Sequence, residues 1–247
     1  MELQATCDGL VLCEFCGVNS ESAKDESSVL RVVLVGPPAS GKGSQAKVLA
    51  DELGLFHLST GSAIRDHMAR GTELGERCRE YMSQARLVPD EVAMEVVDDE
   101  VGEHGGGGFV LDGFPRTLHQ AELLDQWMRE RGQELDAVIV LDVMQADLEA
   151  RVARRVLCGG CGQPLRLGGR VNSMNDACPD CGGELVRRTD DDVNVFRGRF
   201  QEYLDMTVPV IDHYAEIGKL RRVDGSRLPD DVSRSILDLL KPDTQEK

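Results

Sequence analysis

The sequence predicts an α/β chain in which a parallel sheet is covered by helices on both faces. Apolar segments of strand length, Val29–Val35, Phe109–Leu111, Ala137–Leu141 and Leu220–Val223, are separated by stretches with helical spacing. Strands alternating with helices build parallel sheets. Ala137–Leu141 is also apolar without a break, as a strand must be when both of its faces are covered. The chain has 247 residues, room for one core domain carrying smaller insertions.

Residues 1–29 form an N-terminal extension without a core pattern. The polar run Glu21–Ser28 has linker composition, so the extension is expected to be disordered, with Cys7, Cys13 and Cys16 in it. The first strand runs into a glycine-rich turn, Gly36–Ser44, after which Ala46, Leu49, Ala50 and Leu53 share one face of a helix over 44–53. Residues 60–88 read as helical. The strand Phe109–Leu111 ends at Asp112-Gly113, and a helix over Leu118–Arg131 follows. After Ala137–Leu141 the spacing predicts a helix over Ala146–Val156, and after Leu220–Val223 a last one over Asp231–Leu240. Residues 157–192 are rich in Cys, Gly and Asp and lack apolar periodicity. Residues 60–88 and 157–192 are therefore read as insertions at the carboxyl edge of the sheet, where α/β folds bind ligands. They divide the core into 30–59, 89–156 and 193–247.

Composition narrows the class. With 41% hydrophobic but only 4% aromatic residues, the core must be aliphatic. The formal net charge of -16 repels nucleic-acid phosphates unless a local basic patch offsets it, and the arginines are scattered. No apolar run approaches the roughly 18 residues of a membrane span, and no secretory leader is visible. A cytoplasmic chain with small-molecule partners is expected, binding neither nucleic acid nor membrane. In such a chain, closely paired cysteines suggest metal before disulfides.

Gly36-Pro-Pro-Ala-Ser-Gly41-Lys42-Gly43-Ser44 sits between a strand and a helix. Glycines let the backbone turn its N–H groups around phosphates, the helix N-terminus adds a positive dipole, and the lysine reaches the β and γ oxygens. Gly36, Ser40, Gly41, Lys42, Gly43 and Ser44 are the candidate triphosphate cradle. The position after Lys42 is Gly43, and the hydroxyl comes one later, at Ser44. Further along, Cys158-Gly-Gly-Cys161 and Cys178-Pro-Asp-Cys181 are two C-x2-C knuckles separated by sixteen residues. That spacing predicts a tetrahedral four-cysteine site, for Zn2+ or in its place Fe2+. Four protein ligands leave no open position, so its role is structural, standing in for a core that so short a segment cannot build.

The cradle resembles the phosphate loop of adenylate kinases and related nucleoside-monophosphate kinases, which also place Gly after the lysine. The resemblance spans roughly residues 31 to 240, with His57-Leu-Ser-Thr60-Gly61, Leu87-Val88-Pro89-Asp90-Glu91, Asp112-Gly113-Phe114-Pro115-Arg116-Thr117 and Arg188-Thr-Asp190-Asp191 in the family's order. It implies a P-loop NTPase-like parallel five-stranded sheet with helices on both faces. Residues 60–88 would be a monophosphate-binding domain and 157–192 the zinc-bearing lid of the family's long-lid class. It also implies Mg-dependent reversible transfer from ATP to AMP giving two ADP, in a monomer whose two insertions close on the substrates.

Carried onto this sequence, the resemblance assigns Arg65 and Arg116 to the acceptor phosphate, with Arg188 and Arg199 beside them. Arginines suit that task because they clamp phosphate bidentately. Gln120 would read the adenine edge, and Thr60, Val88 and Gly113 would complete the base pocket. Arg151 would stack on the base of ATP and Arg155 would contact its phosphates; the two are four residues apart and share a face of the expected helix. Asp112 would hold Mg2+ through water. Lys42, Arg116, Arg155, Arg188 and Arg199 would carry catalysis by charge alone, since phosphoryl transfer between bound nucleotides needs no general base. After Thr60-Gly61 most adenylate kinases carry Asp and then Met or Leu, where this chain has Ser62 and Ala63. The alternatives are a kinase of the same fold for other nucleotides, such as GTP with AMP, and a nucleotide-responsive zinc-ribbon binding protein without turnover. The segment Cys158–Asp192 holds four arginines, no lysine and six acidic residues, which argues against nucleic acid. Arg154, Arg187 and Arg197 are read as surface residues.

Overall fold

A computed structural model describes residues 29–83, 88–187 and 192–241. Most of the N-terminal extension, with Cys7, Cys13 and Cys16, and Arg188 of the expected site lie outside these residues. In chain order the first half contains β1 (Arg31–Val35), α1 (Lys42–Leu53), β2 (Phe56–Ser59), α2 (Thr60–Arg70), α3 (Glu73–Ser83), α4 (Asp90–His104), β3 (Phe109–Asp112) and α5 (Leu118–Glu130). The second half contains β4 (Ala137–Asp142), α6 (Gln145–Arg154), β5 (Arg155–Cys158), β6 (Pro164–Arg166), β7 (Leu185–Val186), α7 (Val193–Glu202), α8 (Val208–Glu216), β8 (Leu220–Asp224) and α9 (Pro229–Leu240).

The core is the expected five-stranded sheet, in the order β2-β3-β1-β4-β8, and every pairing is parallel. Its middle strands are fully covered: Val32, Val33, Val138, Ile139 and Val140 are all 0% exposed. Successive residues point to opposite faces, so Val33 joins one apolar cluster with Val97, Leu124 and Tyr214. Val32 and Leu34 join the other, with Leu49 and Ile236 from α1 and α9. The second cluster is closed by a buried polar bridge, in which Ser233 Oγ donates to Gln45 Oε1 at 2.8 Å and Gln45 Nε2 donates to the Pro229 carbonyl at 3.0 Å. Fixed register brings Leu34 and Ser59 alongside Asp112 at the carboxyl edge, where the glycine-rich turn also leaves β1.

The insertions differ in construction. Residues 60–83 form the helix pair α2 and α3, pressed together where a Cβ on Gly75 would fall 2.2 Å from the His67 carbonyl oxygen. The cysteine-rich segment forms a separate antiparallel sheet, ordered β6-β5-β7, over a small core of Val156, Leu165, Val171 and Leu185 with Cys158 and Cys178.

One expected helix is shorter than its spacing suggested. The helix over Ala146–Val156 ends at Arg154, and Arg155–Cys158 is a strand. Pairing decides this: Arg155 stands opposite Arg166, and Leu157 opposite both Pro164 and Val186, so the lid sheet captures the chain on both edges. Arg151 and Arg155 therefore do not share a helical face. Among the described residues no helix is long and apolar enough to cross a membrane.

Candidate active site

The turn after β1 curls over the N-terminus of α1. Gly41 caps that helix at φ 101°, a conformation open to glycine and costly for side chains. The Lys42 ammonium is folded into the turn it starts from. Its Nζ donates to the carbonyls of Gly36 at 2.7 Å and Pro37 at 2.8 Å, with Ser40 Oγ at 3.5 Å. Burial holds the Lys42 pKa down at about 8; Asp112 pulls it up, while Arg116, Arg199 and Arg155 push it further down. Three guanidinium groups near enough to act on a buried lysine make a concentration of positive charge that suits a polyanion. The structure thus gathers Lys42, Asp112, Arg116, Arg155 and Arg199 around the helix N-terminus at the edge of the sheet. Those five come from α1, β3, the turn after β3, β5 and α7.

Beyond β3, the chain leaves the strand through Gly113 at φ 84°, and Arg116 folds back so that its Nε donates to the Gly113 carbonyl at 2.8 Å. Loss of solvent, and then the neighbouring charge of Arg199, hold the Arg116 pKa below the ordinary arginine value. Its backbone is fixed from two directions. The Arg116 N–H donates to Gln120 Oε1 at 2.7 Å, and Thr207 Oγ1 donates to the Arg116 carbonyl at 2.9 Å. Thr207 ends a single π-helical turn, Tyr203–Thr207, a local widening that often marks functional sites.

Gln120 is buried at the start of α5, and its amide is anchored. Nε2 donates to Asp90 Oδ1 at 2.8 Å, while Thr117 Oγ1 donates to Asp90 Oδ2 at 2.8 Å. One amide hydrogen and one oxygen lone pair of Gln120 remain for a ligand. Thr60 is 4% exposed, and its Oγ1 has no hydrogen-bond partner; a buried hydroxyl in that condition awaits one. Arg65 extends from the exposed side of α2 and donates to Ser62 Oγ at 3.0 Å. Val88 packs against the main apolar cluster.

On the lid side, the Arg151 guanidinium donates to the Ser40 carbonyl at 3.1 Å and the Gly225 carbonyl at 2.7 Å. It ties α6 to the phosphate turn and to the loop after β8. Arg197, expected on the surface, is exposed and pairs with Glu149 at 3.0 Å, and Arg187 donates to the Ala153 carbonyl. Asp192 caps α7, accepting from the N–H groups of Asn194 and Val195, and so presents the helix that bears Arg199.

The sulfurs of Cys158, Cys161, Cys178 and Cys181 lie within 4.8 Å of one another. Cys158 Sγ accepts from the N–H groups of Gly160 at 3.3 Å and Cys161 at 3.4 Å. The Cys161 N–H first, then the neighbouring thiols and amides, bring the Cys158 pKa down to about 6. Four free thiols, with amides aimed at one sulfur, are the donor set of a structural Zn2+ site, and the residues fit that ion.

Three partners were not foreseen from the sequence: Asp90, Thr207 and Gly225. Asp90 had a visible signal, an acidic residue opening a helix. Thr207 and Gly225 act across long sequence separations and leave no local mark.

The adenylate kinase family model matches residues 34–219. The adenylate kinase of Archaeoglobus fulgidus is 38% identical over 213 residues, covering 86% of this chain and 98% of the relative. That of Caldanaerobacter subterraneus is 39% identical over 218 residues, 88% and 99%, and that of Kosmotoga olearia 40% over 199 residues, 80% and 92%. With the parallel sheet, the cation-ringed phosphate turn and the four-cysteine lid, these similarities establish that the chain belongs to the adenylate kinase family.

Proposed function

We propose that the chain catalyses reversible phosphoryl transfer between ATP and AMP, giving two ADP, with the residues above in the following roles. The observation that carries this is the turn Gly36–Ser44 folded over the N-terminus of α1, with Lys42 Nζ held on the Gly36 and Pro37 carbonyls at 2.7 and 2.8 Å and the charges of Arg116, Arg155 and Arg199 acting on it. The triphosphate lies over the turn Gly36–Ser44, its β and γ oxygens on backbone N–H groups and on Lys42, which leaves its carbonyl partners to reach them. AMP enters between α2 and the turn after β3, with its phosphate on Arg65, Arg116 and Arg199. Its base lies against Thr60, Val88, Gly113 and the free edge of Gln120. An oxygen of the AMP phosphate attacks the γ-phosphorus, and the bond from that phosphorus to the β–γ bridging oxygen breaks. Arg116, Arg155, Arg188 and Arg199 meet the negative charge on the transferring group as it moves. Asp112 stands at the strand end where Mg2+, held through water, would neutralise the β and γ oxygens. The four cysteines of the lid would hold Zn2+ in a structural role. Closure of both insertions would exclude water, which otherwise takes the phosphoryl group.

A coupled assay of ADP formation from ATP and AMP with Mg2+, run beside GTP with AMP and ATP with CMP, tests this. Fast turnover with ATP and AMP alone supports it. Faster turnover with another pair would place the specificity elsewhere, with Ser62 and Ala63 the first positions to exchange. No turnover with any pair would overturn it.

A further inference from the structure

The contact between α2 and α4 holds a cluster that phosphate chemistry does not use. His67, near the end of α2, is 2% exposed. Its Nε2 lies 3.2 Å from Glu100 Oε1 and 3.5 Å from Asp99 Oδ2, both on α4. The three atoms lie within 4.8 Å of one another. Yet Nε2 makes no hydrogen bond, because neither carboxylate oxygen sits where a ring N–H would point.

The other ring nitrogen is fixed. Nδ1 lies 2.9 Å from Thr72 Oγ1, and that hydroxyl also accepts the Gly75 N–H at 3.0 Å and lies 3.4 Å from the His67 carbonyl. With its own hydrogen on that carbonyl, the Thr72 oxygen accepts from Nδ1–H. In that tautomer the lone pair of Nε2 is turned toward the two carboxylates. Three electron-pair donors converge with no hydrogen between them, and the outer hydrogen bond that orients the ring is the kind that supports metal-ligating histidines. Gly75 lies against the His67 backbone, which holds the start of α3 close to the end of α2.

We propose that His67, Asp99 and Glu100 form a second metal site, taking a divalent ion of the zinc class with water as the fourth ligand. Zn–N and Zn–O bonds of about 2.1 Å in a tetrahedron set neighbouring ligand atoms about 3.4 Å apart, and the two nitrogen–oxygen distances here are 3.2 and 3.5 Å. In a tetrahedron the other ligands lie well off the metal–nitrogen axis, so oxygens misplaced for a ring N–H are well placed to share an ion. One imidazole and two carboxylates form a harder donor set than the four thiolates of the lid. Arg70 is the internal competitor, with its guanidinium 3.5 Å from Glu100 Oε1. Its side chain is exposed, so it yields readily to an ion. The ion would join α2 of the monophosphate-binding insertion to α4.

The test uses the full chain, dialysed against micromolar free Zn2+, with metal per chain read by plasma mass spectrometry. His67→Gln and Glu100→Gln are treated in parallel. The parent is expected to hold one zinc more per chain than either variant, and to gain thermal stability from added zinc that neither variant gains at that site. The difference is read between proteins, so it does not depend on which ion fills the lid. Glu100→Gln leaves the His67–Thr72–Gly75 contacts in place and keeps the test valid if His67→Gln does not fold. Equal zinc content in parent and Glu100→Gln would overturn the site.

Discussion

A Cβ added to Gly43 would stand 3.0 Å from Asp112 Oδ2. The residue after the cradle lysine and the carboxylate that ends β3 are thus packed with no room for a side chain between them. Asp112 would have to give by a few tenths of an ångström. Gly43→Ala is therefore expected to lower kcat about tenfold, less than the hundredfold or more that losing a whole preorganised contact costs, and to change its Mg2+ dependence. Alanine is the better helix former by up to about 1 kcal/mol, so the melting temperature should hold or rise. Activity and stability moving in opposite directions would tie the glycine to the site. Parent-like kcat and Mg2+ dependence would show that Asp112 has no part in positioning the metal.

Lys42 makes a prediction about protons. In the free protein its pKa is about 8, held down by burial and by three guanidinium groups. A bound triphosphate adds negative charge beside it and raises that value. Between about pH 8 and 10, binding should therefore take up a proton that the free lysine has lost, and near pH 6, where Lys42 is charged in both states, it should not. Calorimetry in buffers of different ionisation enthalpy reads the uptake directly. Lys42→Ala should abolish it and cost a hundredfold or more in kcat. Arg116→Ala should cost as much in kcat yet leave the uptake largely intact. Uptake that persists in Lys42→Ala would assign the proton to another group.

The elements legible in the sequence are those whose environment is uniform along their length. β1 and β4 are covered on both faces and read as unbroken apolar runs, and the cradle between β1 and α1 follows from local backbone requirements alone. The four-cysteine lid is legible because metal ligation fixes spacing. Arg155 reads as helical because apolar periodicity says nothing about where a pairing partner intercepts the chain, and β6 and β7 are too short to show a pattern. Thr207 reaches Arg116 across 91 positions and Asp90 reaches Gln120 across 30, so their roles belong to packing. His67 reads as one polar residue on a helix until α4 brings two carboxylates to it.

Asp90 accepts from both Gln120 and Thr117, one hydrogen bond on each oxygen. Replacing it with alanine removes both acceptors and leaves the Gln120 amide and the Thr117 hydroxyl without that partner, at a cost of about 1–3 kcal/mol. Gln120 would then lose its fixed orientation and, with it, its hold on the Arg116 N–H. Asp90→Ala is expected to raise the KM for AMP about tenfold and leave the KM for ATP near its parent value. A rise in both constants together would mean that the substitution disturbs the core generally.

On the proposed roles, Arg155 links the four-cysteine cluster to the chemistry. It opens β5, opposite Arg166, and the same strand ends at Cys158, one of the four clustered sulfurs. The lid's core is a handful of aliphatic side chains, too few to hold so short a segment without an ion. Removing the zinc, or replacing Cys178 with serine, should therefore unfold the lid sheet and release Arg155 from its place beside Lys42. Limited proteolysis should then cut within residues 155–187 while the parallel sheet persists by circular dichroism. The KM for ATP should rise, and kcat should fall tenfold or more. Cleavage in that segment with unchanged kcat would separate Arg155 from the transferring phosphoryl group and leave the charge of the site to Lys42, Arg116 and Arg199.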